Sequence, residues 1–324
     1  GKVPAIVLVH GGSGTAYAEW VRLWNARGYA AIAMDLCGSV PIRSPDGSGW
    51  LKIPRYGGPD GWQNCFGQIS EPLADQWPYY AVNAIGRART FLGKQPEIDA
   101  SKIGITGVSW GAYLTCLVAG IDTRFAFAVP VYGCGFFRDG KTASGNKLTG
   151  EAMDRWTLQC DPSSYFSNVK MPTLWVDGTN DSFFPMEAVK MSYSSIKAPV
   201  TLSQKVRMTH SHGGPGERPE EIFAFADSFC SGGKPLAAFA GQGFSSREAW
   251  VSFKSEVPLE SAELVFTRDT GPNKDRKWES EPAKLDAASG KASAAIPEGT
   301  KLYYFNVIDS RKLSVSSPFV EFKQ

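Results

Sequence analysis

The pentapeptide Gly107-Val108-Ser109-Trp110-Gly111 has the G-x-S-x-G pattern of a serine held at a sharp bend between a strand and a helix. Its surroundings fit that reading, because the β-branched apolar residues 103–107 predict a strand and residues 112–119 predict a helix. Such a bend lifts the Ser109 hydroxyl clear of a sheet, while the flanking glycines let neighbouring backbone pass close by. A serine hydroxyl is a weak nucleophile until a base takes its proton, so the motif requires a histidine from elsewhere in the chain.

There are three histidines. His10, in His10-Gly11-Gly12-Ser13, lies ahead of Ser109 at the end of the first apolar run, where bracing a loop suits it better than accepting a proton. His210 and His212, in Met208-Thr209-His210-Ser211-His212-Gly213-Gly214, follow the last strand-like run and precede a helix starting near Pro219. His210 is favoured as the base, because it follows the strand closely and leaves a loop of ordinary length before the helix; His212, followed by glycine, is its rival. Metal binding by this H-x-H pair is not expected, since no cysteine or carboxylate ligand set lies near it.

The third member should be a carboxylate that fixes the histidine tautomer. Asp181, in Asp177-Gly178-Thr179-Asn180-Asp181, follows a strand-like run and gives the order Ser, Asp, His; Asp177 is the alternative, though its place beside Gly178 suits a turn cap. Negative charge on a tetrahedral intermediate needs backbone N–H donors. One is expected from Trp110, immediately after the serine, and the second from Gly12 in the His10-Gly11-Gly12-Ser13 loop. No cofactor is implied, because acyl transfer by such a triad needs only water.

These groups need a frame that brings distant segments together. Residues 5–10, 30–36, 103–107, 126–132, 173–177 and 200–208 read as strands, alternating with helices over 16–27, 78–92, 112–119, 186–196 and 219–229. That alternation predicts a mostly parallel sheet covered on both faces. Two Gly-, Pro- and Trp-containing or polar stretches, 38–75 and 135–169, interrupt it and could wall a pocket above the sheet or be plain insertions. Trp50, Trp62, Trp77 and Trp156 fall in or beside them, either as pocket lining or as core. After Gly232-Gly233-Lys234-Pro235 short strands at 249–253, 262–267, 302–308 and 318–322 predict a small all-β sandwich. The expected division is therefore a catalytic domain at 1–234 and a β-sandwich domain of immunoglobulin or fibronectin III type at 235–324.

Composition, at 43% hydrophobic and 20% charged residues, is that of a soluble globular protein rather than a disordered or fibrous one. The net charge of +2 offers no field to recruit nucleic acid or an anionic membrane, so a neutral or mildly charged substrate is expected. No run approaches the roughly 18 apolar residues of a membrane span. The start Gly1-Lys2-Val3-Pro4 has no charged-then-apolar leader, so an export signal has been removed or never existed. The six cysteines are either plain thiols or two loop staples, Cys37 with Cys65 and Cys134 with Cys160, the latter fitting a secreted or periplasmic address.

Taken as a set, His10-Gly11-Gly12, Gly107-Val108-Ser109-Trp110-Gly111, Gly178-Thr179-Asn180-Asp181 and the His210/His212 segment resemble the α/β-hydrolase superfamily, in its dienelactone-hydrolase, acetylxylan-esterase and prolyl-oligopeptidase-like branch. The resemblance covers residues 3–234 and implies a serine carboxylesterase that removes small acyl groups, acetyl above all, from carbohydrate esters. Members usually have two strands ahead of the His-Gly-Gly strand, so this sheet is expected either to begin short or to have lost its first strands to processing. The alternative is an oligopeptidase-like serine peptidase; such enzymes usually carry a large domain ahead of the hydrolase, and none precedes Gly1 here. A binding module with decayed chemistry is a third reading, opposed by the intact serine, acid and histidine.

Overall fold

The computed structural model describes residues 1–324 except 55–58, 60, 63, 141, 143–146, 246 and 323–324, so parts of both irregular stretches lie outside the described residues. In chain order the elements are β1 (Val3–Val9), α1 (Ala18–Asn25), β2 (Ala30–Ala33), β3 (Ser39–Arg43), β4 (Trp50–Pro54), α2 (Trp77–Gly93), β5 (Ile98–Val108), α3 (Trp110–Ile121), β6 (Ala128–Val131), α4 (Gly150–Gln159), β7 (Thr173–Gly178), α5 (Met186–Ser194), β8 (Val200–Lys205) and α6 (Glu220–Cys230). There follow β9 (Ala238–Ser245), β10 (Glu248–Lys254), β11 (Leu259–Thr267), β12 (Glu279–Pro282), β13 (Lys284–Asp286), β14 (Lys291–Ala295), β15 (Leu302–Asp309), β16 (Ser314–Ser316) and β17 (Val320–Glu321).

Six parallel strands form one sheet in the order β2-β1-β5-β6-β7-β8. Strand β1 is apolar on consecutive residues because both of its faces are covered. Ala5, Val7 and Val9 pack with α2 and α3, whereas Ile6 and Leu8 pack with Trp20 and Trp24 of α1 and Ile222 and Phe223 of α6. Helix α3, buried from Trp110 through Gly120, starts directly after Ser109. Because every strand of the sheet points the same way, the segments after β1, β5, β7 and β8 all leave its C-terminal edge, where α/β sheets gather ligand-binding groups. Two elements of the irregular stretches escape periodicity: the β3–β4 hairpin, whose pairing runs Ser39–Pro54 to Arg43–Trp50, and α4, a helix with mostly polar residues.

The C-terminal strands form two antiparallel sheets, β13-β14-β10-β9 and β12-β11-β15-β16, with β17 added to β15. Strand β9, Ala-Phe-Ala-Gly-Gln-Gly-Phe-Ser, and the short β12 to β14 lack β-branched residues, which is why their sequence is silent. One apolar cluster runs from Ile6 and Leu8 through Phe223 and Phe225 to Leu264, Phe305 and Val315. Polar bonds bridge the same boundary: Ser203 Oγ donates to Ser314 O at 3.2 Å, Gln204 N donates to Ser316 Oγ at 2.8 Å, and Glu221 pairs with Lys205 while accepting from Ser314 N at 3.0 Å.

All six cysteines are free thiols, which corrects the loop-staple alternative. Their sulfurs lie against separate acceptors, Cys65 Sγ on Trp62 O at 3.1 Å and Cys160 Sγ on Gln76 Oε1 at 3.6 Å, within the core instead of across loops. Trp77 and Trp156 are core residues; Trp50 lies beneath the Arg43 guanidinium, 4.6 Å away, and Trp62 belongs to the site described below. No helix among the described residues is long and apolar enough to cross a membrane.

The stretch after β6 is organised by one buried carboxylate. Asp161, 1% exposed, accepts from Phe136 N at 2.9 Å, Phe137 N at 2.8 Å and Ser163 N at 2.8 Å. Burial pushes its carboxyl up and these N–H donors pull it back. Asp161→Ala leaves buried amides without an acceptor and is expected to lose about 2–4 kcal/mol of stability, read as a lower urea midpoint at unchanged m.

Candidate active site

Ser109 sits between the end of β5 and the start of α3 with φ 57° and ψ −121°, a conformation that L-residues rarely adopt. Its strain is held by Ser109 N donating to Val131 O at 3.0 Å and by Ser109 O accepting from Ala112 N at 2.8 Å and Tyr113 N at 3.0 Å. The bend is tight enough that a Cβ on Gly107 would stand 2.2 Å from Gly111 O, and one on Gly111 would stand 2.0 Å from Val9 O. Both glycines of the motif are therefore demanded by close backbone approach.

Across the C-terminal edge of the sheet, the Ser109 hydroxyl donates to His210 Nε2 at 2.7 Å, and His210 Nδ1–H donates to Asp181 Oδ2 at 2.5 Å. Asp181 has a 1% exposed side chain, and its other oxygen accepts from Phe183 N and Phe184 N, each at 2.8 Å. Around the imidazole lie the rings of Tyr132 at 4.3 Å, Phe183 at 4.8 Å and Phe184 at 6.3 Å between centroids. Tyr132 also donates its hydroxyl to Ser211 O at 2.7 Å, tying the end of β6 to the histidine segment.

Asp177 is not in this chain of bonds. It is buried, and neither oxygen makes a well-formed hydrogen bond. Burial, with the Asp181 charge adding in the same direction, pushes its carboxyl well above the usual carboxylate range, while Gly178 N–H and the Gln204 amide offset this only in part. Asn180, beside the acid, donates its amide to Asn273 O at 2.9 Å and Arg276 O at 2.8 Å, so the loop carrying Asp181 is pinned to the turn ahead of β12.

The loop after β1 lies against the serine. A Cβ on Gly11 would be 3.1 Å from Ser109 Cβ, and one on Gly12 would be 2.8 Å from the Trp62 ring and 3.1 Å from Trp110 Cδ1. Among the described residues, no hydrogen bond occupies Gly12 N–H or Trp110 N–H. His10 braces the loop: Leu36 N donates to its Nε2 at 3.0 Å, and its Nδ1–H donates to Gly11 O at 2.7 Å. Burial lowers its pKa to about 4, so the ring is neutral at ordinary pH. Lys52, in the β3–β4 hairpin, caps Ser13 O at 2.9 Å.

His212 is directed elsewhere than His210. Gly11 N donates to its Nε2 at 2.8 Å, and its Nδ1–H donates to Glu217 Oε1 at 2.9 Å. Of the residues read from the sequence, the structure brings together Ser109, His210 and Asp181, sets Gly12 and Trp110 beside them, and turns His212 toward the Gly11 loop. Tyr132, Phe183 and Lys52 carried no signal in the sequence, since each is defined by a partner far along the chain, and Glu217, five residues from His212, had no motif to mark it. Among the described residues no group of His, Cys, Asp and Glu is placed to hold a metal ion.

Such an arrangement can pass the serine proton to an imidazole whose opposite nitrogen is held by a buried carboxylate, beside the Gly12 and Trp110 amides. Residues 71–230 match the family model described as the prolyl oligopeptidase family. An uncharacterized peptidase of Bacillus subtilis (strain 168), YuxL, is 24% identical over 212 residues, which are 60% of this chain and 28% of that protein; the chain thus spans well under half of that relative's length. Among solved structures, the acetyl xylan esterase from Paenibacillus sp. R4 superposes with a TM-score of 0.56 at 23% identity, covering 71% of this chain and 75% of that one. The acylaminoacyl peptidase of Pyrococcus horikoshii gives 0.52 at 21% identity, covering 71% of this chain and 38% of that one. Sheet order and strand-to-helix bend are those of an α/β-hydrolase fold, and together with the family match over residues 71–230 they support the chemistry of a serine hydrolase.

Proposed function

We propose that the protein is a serine carboxylesterase that removes small acyl groups, acetyl above all, from carbohydrate esters. Ser109 attacks the ester carbonyl, His210 takes its proton and returns it to the leaving alcohol, and Asp181 holds the imidazole in the required tautomer. Gly12 N–H and Trp110 N–H stabilise the tetrahedral oxyanion, and water releases the acyl-enzyme by the reverse proton path. The observation that carries the reading is the continuous bond path from Ser109 Oγ through His210 to Asp181, at 2.7 and 2.5 Å.

A small acyl group is supported by the Trp62 ring, which packs over Gly12 beside the serine and narrows that side of the site. On the other side, the half-exposed Phe183 ring against His210 presents a flat apolar surface to the leaving group, the kind of face on which a sugar ring stacks. We also propose that residues 1–234 form the catalytic domain and 235–324 a sandwich that buttresses it, a division supported by the change from parallel to antiparallel pairing and by the shared apolar cluster. A peptidase reading is favoured by the matched family and by the Bacillus relative's name.

Initial rates on p-nitrophenyl acetate, p-nitrophenyl octanoate, acetylated xylan and aminoacyl p-nitroanilides separate the two. The esterase reading expects kcat/KM for the acetate ester to exceed that for the anilides by about 100-fold or more, with the octanoate poor. Anilide cleavage at a comparable kcat/KM would replace it with the peptidase reading.

A further inference from the structure

We propose that His212 is a positioning residue for the oxyanion loop, acting through a second histidine–carboxylate pair beside the one that serves Ser109. This rests on the functional reading above, because it assigns a task within that site. The loop to be set is Gly11-Gly12, which has no side chains to anchor it and must hold an amide against a charge that exists only transiently. Its anchors are therefore contacts to the backbone itself.

The peptide unit joining Gly11 to Gly12 is planar, so the direction of Gly12 N–H follows from whatever holds Gly11 O. Gly11 O accepts from His10 Nδ1–H at 2.7 Å and from Gly14 N at 3.0 Å. The preceding plane carries Gly11 N–H, and that group donates to His212 Nε2 at 2.8 Å, across 201 residues of sequence. Two histidines thus clamp the two ends of Gly11, whose backbone would otherwise have the widest torsional freedom of any residue. His212 also removes Gly11 N–H from competition, while among the described residues no hydrogen bond occupies Gly12 N–H.

Glu217 makes His212 suitable for the task. Accepting from Gly11 requires a lone pair on Nε2, and Glu217, 7% exposed, secures it by taking Nδ1–H at 2.9 Å. The ring is further wedged by Tyr17 at 4.9 Å and Trp20 at 5.9 Å between centroids, so it cannot rotate freely toward Ser109. A residue that served packing alone would not need both nitrogens bonded to partners from different segments.

The test compares His212→Leu, which cannot accept from Gly11, with His212→Gln, whose Oε1 can. On p-nitrophenyl acetate the leucine variant is expected to lose about 10–100-fold in kcat with KM within about twofold, since the interaction matters to the transition state and not to ground-state binding. Labelling by a fluorophosphonate, which develops the same oxyanion, should slow in parallel, and the glutamine variant should recover most of both. A folded leucine variant with parental kcat, or one altered only in KM, overturns the proposal, as does a glutamine variant no better than leucine. If the leucine variant does not fold, Glu217→Ala is measured instead and should lower kcat about tenfold; parental kcat there overturns the proposal equally. Ser109→Ala is run alongside: activity surviving in it overturns the esterase reading itself, whereas loss in it together with a fully active His212→Leu overturns this inference alone.

Discussion

Ser109→Ala is expected to abolish hydrolysis of p-nitrophenyl acetate, lowering kcat by about 10⁵- to 10⁶-fold, and to eliminate labelling by a fluorophosphonate probe. The change removes one oxygen from a position whose backbone is already fixed, by Val131 O on one side and by the first turn of α3 on the other. Alanine accepts the φ of 57° about as well as serine does, so the fold should persist and the thermal transition should stay close to that of the parent. What remains is a site with the Gly12 and Trp110 amides and an imidazole without a nucleophile to activate. Water is then the only attacking group, and the oxyanion donors alone supply a residual rate above the uncatalysed reaction. An alanine variant that hydrolyses the ester at parental rate would move the chemistry off Ser109.

The two buried aspartates should respond in opposite ways to the same substitution. Asp181→Asn is expected to lower kcat by about 10⁴-fold at neutral pH, because an amide presented to His210 Nδ1 favours the tautomer with its proton on Nε2, where it can no longer accept from Ser109. Asp177→Asn should leave ester hydrolysis near the parental rate, since Asp177 touches neither the imidazole nor the serine. Its signature is in stability. Burial favours the neutral form of the native Asp177 carboxyl and pushes it well above the usual range, whereas in the unfolded chain it ionises near pH 4. Between those two values the native state binds the extra proton, so this group's contribution is complete below about pH 4 and is lost progressively as pH rises toward the native value. Asparagine is nearly isosteric with the neutral acid and does not titrate. The Asp177→Asn variant should therefore gain stability over the parent at pH 7.5 and gain less at pH 4.5, as measured by urea unfolding at both. A variant whose difference from the parent does not grow with pH would show that Asp177 is ionised in the native state.

The serine was legible because its signal is local: a β-branched run, two glycines and a helical segment within a few residues specify a strained bend without reference to the rest of the chain. The inner strands of the parallel sheet were legible for a similar reason, since strands covered on both faces read as apolar runs, whereas edge strand β8, Val-Thr-Leu-Ser-Gln-Lys, alternates apolar and polar residues at its start. In the C-terminal sheets, only strands such as β11 and β15, with their β-branched and aromatic residues, announced themselves; Gly-containing β9 did not. Helix α4 was hidden because only Met153 and Trp156 of its ten residues are buried, and the β3–β4 hairpin because prolines fall within its strands at Pro41 and Pro54.

The choice between the histidines marks the boundary most sharply. Sequence alone placed both imidazoles on one short loop after the last strand, and set Asp181 and Asp177 as rival acids on another. Local position favoured His210 and Asp181, but both members of each pair are the same residue type on the same segment, so position alone could not decide between them. The deciding contacts are between His210 and Ser109, 101 residues apart, and between His212 and Gly11, 201 residues apart. Residue type and order therefore determined which chemistry the chain carries. Only packing of the loops at one edge of the sheet decided which nitrogen meets the hydroxyl and which holds the neighbouring amide. Hydrogen bonds act over about 3 Å, and chain separation says nothing about which groups come that close.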